Sequence, residues 1–211
     1  SLHGNPQIFK LFVHRFPKDG DPDLLEEEFD QMIRGHHPLV AEIPDPMRKI
    51  IRHHLSLFRR YMPEDFDLRK ASIGNLILTG GYLDNERHLD PVIFIFSKLV
   101  LVRGTVRPVV NRYLHLVAEM EDGEVIVGQH KMTGKEADPL SSKIRKLHIT
   151  DNREDPRPIE VPIREKMRNL ILEADMICYP IGSYYSSVIA NLLPKGVGTA
   201  VRENPCPKVY I

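Results

Sequence analysis

Apolar positions in the first third of the chain recur three and four residues apart, the spacing of a helix with one buried face. Leu24, Leu25, Phe29, Met32 and Ile33 follow this rule after Asp21-Pro22, an N-cap with proline at the first helical position, and Gly35 offers a stop. Asp45-Pro46 opens a second amphipathic helix with Met47, Ile50, Ile51, Leu55 and Phe58 on one face. Arg48, Lys49, Arg52, Arg59 and Arg60 fall largely elsewhere, and Pro63 closes the segment. Residues 1–66 are expected as a helical flank or insert. The stretch "DLRKASIGNLILTGGYL", Asp67 to Leu83, reads as a polar turn and a short apolar helix, capped by Ser72 or Asn75 and broken by Gly80-Gly81. Asp90-Pro91 repeats the cap-plus-proline signature and leads through Phe94, Ile95, Leu99 and Leu101 to Gly104.

The period then changes. Val106 to Val110, Tyr113 to Met120 and Glu124 to His130 are rich in β formers, and Asp122-Gly123 marks a hairpin. Lys143 to Thr150 alternates so that Leu147 and Ile149 face one way, as in a half-buried strand. Asp151 to Pro158 reads as a surface loop. In the last quarter, Ile163 to Ala174 is expected as a helix and "DMICYPIG" as a fully buried strand. "SYYSSVIANLL" follows as a helix, and "GVGTAV" and "KVYI" as two further strands. Strand, helix, strand order implies parallel pairing with helices over the sheet. The expected architecture is α/β: a three-layer α/β/α Rossmann-like, mostly parallel sheet, with a helical insert and a β-hairpin section.

Composition narrows the function classes only a little. Lys plus Arg and Asp plus Glu are each 29 in 211 residues, so the formal net charge is zero and nothing global favours nucleic acid or an acidic membrane. Pro91 to Val102, the longest apolar stretch, is interrupted by Ser97 and Lys98 and falls short of the ~20 residues a bilayer span needs. Cys178 and Cys206 read as free thiols of a reducing, cytoplasmic compartment. The start at Ser1-Leu2 and the strand-like end Lys208 to Ile211 suggest a single domain over 1–211 that is incomplete at both ends.

Two segments offer chemistry. In Asp175 to Leu193, a strand runs through Pro180, Ile181, Gly182 and Ser183 straight into a helix, so unpaired amides face the carboxyl end of a strand. Such a helix start attracts a phosphate: Gly182 admits it closely and Ser183, Ser186 and Ser187 add hydroxyl donors. Simple capping by Ser183 explains the same residues equally well. The pattern is neither a Walker loop nor a nucleophile elbow. The second segment, Ala71 to Leu76, is a small-polar turn in which Ser72, Gly74 and Asn75 can bring donors to a ligand oxygen, or merely start a helix. Tyr184 and Tyr185 can stack on a base or belong to a core. His36-His37 and His53-His54 lack neighbouring ligands at metal spacing and read as ordinary side chains, and the arginine-rich helix face reads mainly as solvated.

"ASIGNLILTGGYL", "GTVRPVVNRYLHLVAEMEDGEVIVGQHKM", "EADMICYPIGSYYSSVIANLLPKGVGTAV" and "KVYI", in this order, resemble the CofD-like superfamily. That superfamily includes 2-phospho-L-lactate transferase and the bacterial gluconeogenesis factors. The resemblance covers residues 68–211, and the helical start is similar to a bacterial CofD-like subfamily of unassigned reaction. It implies a nucleotide cleft with Ser72, Gly74 and Asn75 on one side and Gly182, Ser183, Tyr184, Ser186 and Ser187 on the other, Asn191 holding the helix in place. It implies a GDP- or UDP-linked small-molecule partner, and a homodimer stays an open expectation; charge and apolar length lead to the expectation of no nucleic acid and no membrane partner. Mg²⁺ is implied too, although the family's glycine-rich first turn and its acidic Asp-(Asp/Ser)-Gly-Gly-Ser segment, which supplies the metal-associated carboxylate, do not occur in this chain. Two functions follow from the resemblance: transfer of a phospho-acyl or phosphoryl group from a nucleoside diphosphate ester to a hydroxyl, or non-catalytic sensing of a nucleotide sugar. A decayed ligand site is the third, bland alternative.

Overall fold

The computed structural model describes residues 5–132, 140 and 142–211. They form two compact units, one ending at Pro108 and the other beginning at Val109.

The first unit is helical. It comprises α1 (Pro6–Val13), α2 (Pro22–Arg34), α3 (Pro38–Ala41), α4 (Met47–Tyr61), α5 (Ile73–Asp84) and α6 (Leu89–Leu99). Asp21 caps α2 by accepting from the Asp23 and Leu24 amides, and Gly35 ends it at φ 81°, a left-handed position that suits glycine. The start of α4 differs from expectation: Pro46 holds the cap position without a side-chain bond, and Asp45 instead pairs with Arg48 and Lys49. Ile8, Leu11, Phe29, Met32, Ile51, Leu55, Ile73 and Ile77 are fully buried in one core.

Gly80-Gly81 does not break α5, which runs on to Asp84. A Cβ on Gly80 would lie 1.9 Å from the His54 carbonyl oxygen, and one on Gly81 would lie 2.5 Å from the His54 ring. Gly80 therefore lets α4 and α5 touch backbone to backbone, and Gly81 makes room for the His54 ring. His54 is buried at this crossing and its Nδ1–H donates to the Ile77 carbonyl at 3.2 Å. Near the unit's end, α6 begins at Leu89 rather than at Asp90 and stops at Leu99, short of Gly104. Residues 106–110 are irregular rather than a strand.

The second unit carries β1 (His115–Met120), β2 (Val125–Val127), α7 (Gln129–Met132) and β3 (Ile144–Thr150). These are followed by α8 (Glu165–Leu172), β4 (Ile177–Tyr179), a π-helical turn at Tyr184–Ile189 continuing as α9 (Ala190–Leu192), then α10 (Val197–Glu203) and β5 (Lys208–Tyr210). The hairpin at Asp122-Gly123 forms, with Val117 opposite Val127. β3 adds antiparallel to the other side of β1, giving the order β2-β1-β3. The larger sheet among the described residues is thus antiparallel, and the mostly parallel three-layer arrangement is not what they form. Among the described residues, parallel pairing joins β4 to β5, with Cys178 opposite Val209, and recurs as a single bridge between Pro162 and Lys195.

Two further segments differ from expectation. "GVGTAV" forms α10, started by Gly196 at φ 102°, because a short apolar run bounded by glycine fits a buried helix as well as a strand. β4 is not fully buried: Cys178 is exposed, and Met176 and Ile181 beside it are exposed as well. Both cysteines are free. No helix among the described residues is long and apolar enough to cross a membrane.

Candidate functional site

The strand-to-helix segment of the second unit holds the most distinctive local geometry. β4 and β5 run parallel, so their carboxyl ends lie side by side, and the Ile211 amide donates to the Tyr179 carbonyl at 3.1 Å. From this edge the chain passes through Pro180, Ile181 and Gly182 into the helical turn at Ser183. Gly182, Ser183, Tyr184, Tyr185 and Ser187 are all exposed. The first amides of a helix have no intrahelical acceptor, so this is a place where donors point outward.

The helix starts with π winding. The Ser183 carbonyl accepts from Ser187 at 2.9 Å and from Val188 at 3.4 Å, which spreads the first turn over an extra residue. Single π turns within helices often occur at functional sites. Ser183 does cap the helix, its Oγ accepting from the Ser186 amide, but at 3.4 Å the bond is long. Ser186 is only 3% exposed, and its own hydroxyl has no partner among the described residues. A buried hydroxyl left unpaired costs free energy of the order of 1–3 kcal/mol, so its presence calls for a reason.

Gly182 needs a reason too. A Cβ there would meet only Ser187, at an ordinary 3.6 Å, and the residue does not occupy the left-handed region. The fold itself therefore accepts a side chain at this position. Tyr184 and Tyr185 stand edge to face with ring centroids 5.2 Å apart, and both are exposed rather than core.

Two tethers hold the turn. Asn191 Nδ2 donates to the Ser187 carbonyl at 2.6 Å, one helical turn back. Gln129 Nε2 donates to the Ser186 carbonyl at 2.9 Å from α7. Gln129 carries no sequence signal for this role, since the contact joins segments 57 residues apart. Inward, Ala190 and Leu193 pack against the small core of Leu116, Ala118, Met120, Ile149 and Val161, and Val188 is buried too.

The other turn, Ser72 to Asn75, belongs to the first unit. Ile73 donates to the His14 carbonyl at 3.0 Å, and Ser72 bridges to Arg15, so the backbone entering α5 is paired with the segment after α1. Gly74 is buried, and a Cβ there would lie 2.7 Å from the Phe12 carbonyl oxygen and 2.9 Å from its ring. Close packing of α5 on α1 thus accounts for that glycine. Ser72 makes no side-chain capping bond, and Asn75 is exposed. These two side chains are what the turn can offer a ligand.

The remaining candidates have structural partners. His37 caps α3 by accepting from the Leu39 amide at Nδ1, which leaves its Nε2–H for Glu28 at 3.4 Å. His14 approaches the same carboxylate oxygen at 3.3 Å. Burial holds His37 below the usual histidine range, partly offset by Glu28. Burial does the same to His54, with the Ile77 carbonyl opposing. Arg59 pairs with Glu26, and Arg52 donates to the Ile33 carbonyl at 2.9 Å, so the arginine-rich face of α4 is largely engaged within the unit. Among the described residues no group of three His, Cys, Asp or Glu side chains is placed to hold a metal ion. The described residues therefore offer no ligand set for the Mg²⁺ implied by resemblance.

A family model described as 2-phospho-L-lactate transferase CofD matches residues 5–211. Gluconeogenesis factor of Bacillus subtilis is 33% identical over 161 residues, covering 74% of this chain and 45% of that protein. The putative gluconeogenesis factor of Thermotoga maritima is 30% identical over 179 residues, covering 85% of this chain and 50% of that protein. A crystal structure of a Bacillus halodurans protein superposes with a TM-score of 0.54 at 25% identity, over 92% of this chain and 58% of that one. The chain spans about half the length of the curated relatives it matches. With the family model matched almost end to end and relatives a third identical over most of its length, the chain belongs to the 2-phospho-L-lactate transferase CofD family.

Proposed function

We propose that this chain forms part of a nucleotide-binding protein in which the Gly182 to Ser187 turn receives a phosphate of a nucleoside diphosphate ester. The observation that carries the reading is a pair of features: a glycine where a side chain would fit, and a buried serine hydroxyl without a partner among the described residues. A phosphate oxygen approaching over Gly182 would meet the outward amides of Ser183 and Tyr184 and the hydroxyls of Ser183 and Ser187. A rotation about the Ser186 side-chain bond would turn its hydroxyl to the same anion. Helix-start amides and the aligned peptide dipoles favour negative charge at such a place. Tyr184, exposed beside the turn, would stack on a base or sugar.

The chemistry proposed is transfer of a phospho-acyl or phosphoryl group to a hydroxyl acceptor. The acceptor oxygen bonds to phosphorus, the bond from that phosphorus to the bridging oxygen breaks, a nucleoside monophosphate leaves, and the hydroxyl proton goes to water. Positioning and charge neutralisation supply most of the rate in such transfers. A non-catalytic regulator that binds a nucleotide sugar is the second reading, favoured by relatives that carry the name gluconeogenesis factor.

Calorimetry of the 211-residue chain with GDP, UDP and a UDP-sugar tests the binding claim. A saturable heat that vanishes in Gly182→Val, with unchanged circular dichroism, supports it; Gly182→Val binding as well as the unaltered chain refutes it. Release of nucleoside monophosphate on adding a hydroxyl acceptor separates transfer from sensing.

A further inference from the structure

The helical unit contains a place of its own suited to an anion. Along α6, Asp90, Phe94, Ser97 and Lys98 recur at four-, three- and one-residue steps and so share one side of the helix. The chain after α6 folds back beside them. Val102 donates to the Ser97 carbonyl at 3.0 Å and Val100 to the Phe96 carbonyl at 2.9 Å. Leu101 at φ 54° and Gly104 at φ 132° make the reversal. The result is a depression of about 190 Å³ bounded by that face and by Gly104 to Arg107.

Its lining carries two cations, Lys98 and Arg107, and one carboxylate, Asp90. Lys98 lies over the Phe94 ring at 5.8 Å, and neither Lys98 nor Arg107 has a carboxylate partner among the described residues. A lysine in the last turn of a helix has a bland explanation, since it offsets the negative end of the helix dipole. That explanation does not reach Arg107, which lies beyond the helix and arrives at the same depression only through the reversal. Returning amides already satisfy the carbonyls of Phe96 and Ser97, so the two cations are not needed to cap them. Thr105 and Ser97 add hydroxyls, and Phe94 is 60% exposed, an aromatic face open to contact.

Pockets that enclose drug-sized molecules run to roughly 300–1,000 Å³. At about 190 Å³ the open depression suits a small anion or the charged end of a larger one. We infer that it is a subsite for a small organic phosphate: Lys98 and Arg107 take the phosphate group, Ser97 and Thr105 donate to it, and Phe94 covers the carbon end. Arginine's planar fork suits phosphate oxygens in pairs, and lysine serves as the point charge.

The test is a titration of the ¹⁵N-labelled chain with glycerol 3-phosphate, inorganic phosphate and acetate, followed by amide shifts. Saturable shifts at Ser97, Thr105 and Arg107 are expected with both phosphates, tighter for glycerol 3-phosphate, and not with acetate. Removing one charge, in Lys98→Met or Arg107→Met, should weaken binding about tenfold. Phe94→Leu should weaken glycerol 3-phosphate but not inorganic phosphate. Shifts that stay linear with concentration, equal response to acetate, or affinity kept in the double methionine variant would each overturn the inference. Because Gly182→Val leaves this depression intact, saturation here in that variant separates the two sites.

Discussion

Gly80 and Gly198 both sit within helices, yet alanine should have opposite effects at the two positions. In a helix interior the exchange by itself gains up to about 1 kcal/mol, because alanine loses less backbone freedom on folding. At Gly198, in the first turn of α10, a Cβ meets nothing within 4 Å, so a part of that gain, smaller than in a helix interior, should appear. At Gly80 the Cβ would sit 1.9 Å from the His54 carbonyl oxygen and 3.1 Å from the Phe58 amide nitrogen. Ordinary contact begins near 3.4 Å, so α4 and α5 must separate by about 1.5 Å, against a core in which Ile51, Leu55, Ile73 and Ile77 are fully buried. Overpacking costs typically ~1–3 kcal/mol, and a clash with backbone belongs at the upper end. The net expectation for Gly80→Ala is destabilisation by about 2 kcal/mol, which for a unit of this size lowers Tm by roughly 10 °C. Thermal and urea unfolding measure the loss, and hydrogen exchange in α4 and α5 assigns it to the helical unit. A Gly80→Ala chain as stable as the unaltered one would refute the close crossing, whatever Gly198→Ala does.

Other perturbations probe separate parts of the account. Ser186→Ala removes a buried hydroxyl that has no partner among the described residues, so urea unfolding should show stability unchanged or raised by up to about 1 kcal/mol, while nucleotide affinity falls. Asn204 is 3% exposed, donates to the Ile171 and Ala174 carbonyls at 2.7 and 2.8 Å, and accepts from Cys206 at 2.8 Å. Asn204→Ala breaks this link between α8 and β5 and should cost ~2–4 kcal/mol, read as a lower urea midpoint for the second unit. Folding depresses the His54 and His37 affinities for protons, chiefly through burial. Their neutral forms support the fold fully above the unfolded value of about 6.5, and that support is lost as pH falls through the lower folded values. The urea midpoint should therefore drop on acidification below pH ~6.5, with a shallower dependence in His54→Gln.

Local signals were readable in the sequence wherever one residue decides the backbone. Asp21 and Gly35 bound α2 because a side-chain oxygen and a left-handed glycine act within a turn of their own positions. Asp122-Gly123 likewise marks the hairpin between β1 and β2. Glycines that serve a distant neighbour were not readable. Gly80-Gly81 looks like a helix breaker until His54 is seen against it, and Gly74 looks like a ligand-binding turn until Phe12 is seen there. α10 was mistaken for a strand because seven residues are too few for a period to separate the two. At the candidate site the exposed serines and Gly182 follow from the strand-turn-helix pattern. The π winding, the orphaned Ser186 hydroxyl and the Gln129 tether do not, since each depends on packing between segments far apart in the chain.

The central claim is that the Gly182 to Ser187 turn grips a nucleotide phosphate, and amide chemical shifts of the ¹⁵N-labelled chain titrated with UDP and GDP test it most directly. Saturable shifts at Ser183, Tyr184, Ser186 and Ser187 with at least one of these, reproduced by neither uridine nor guanosine, are the predicted result. Saturation elsewhere that leaves these four amides unmoved would contradict it.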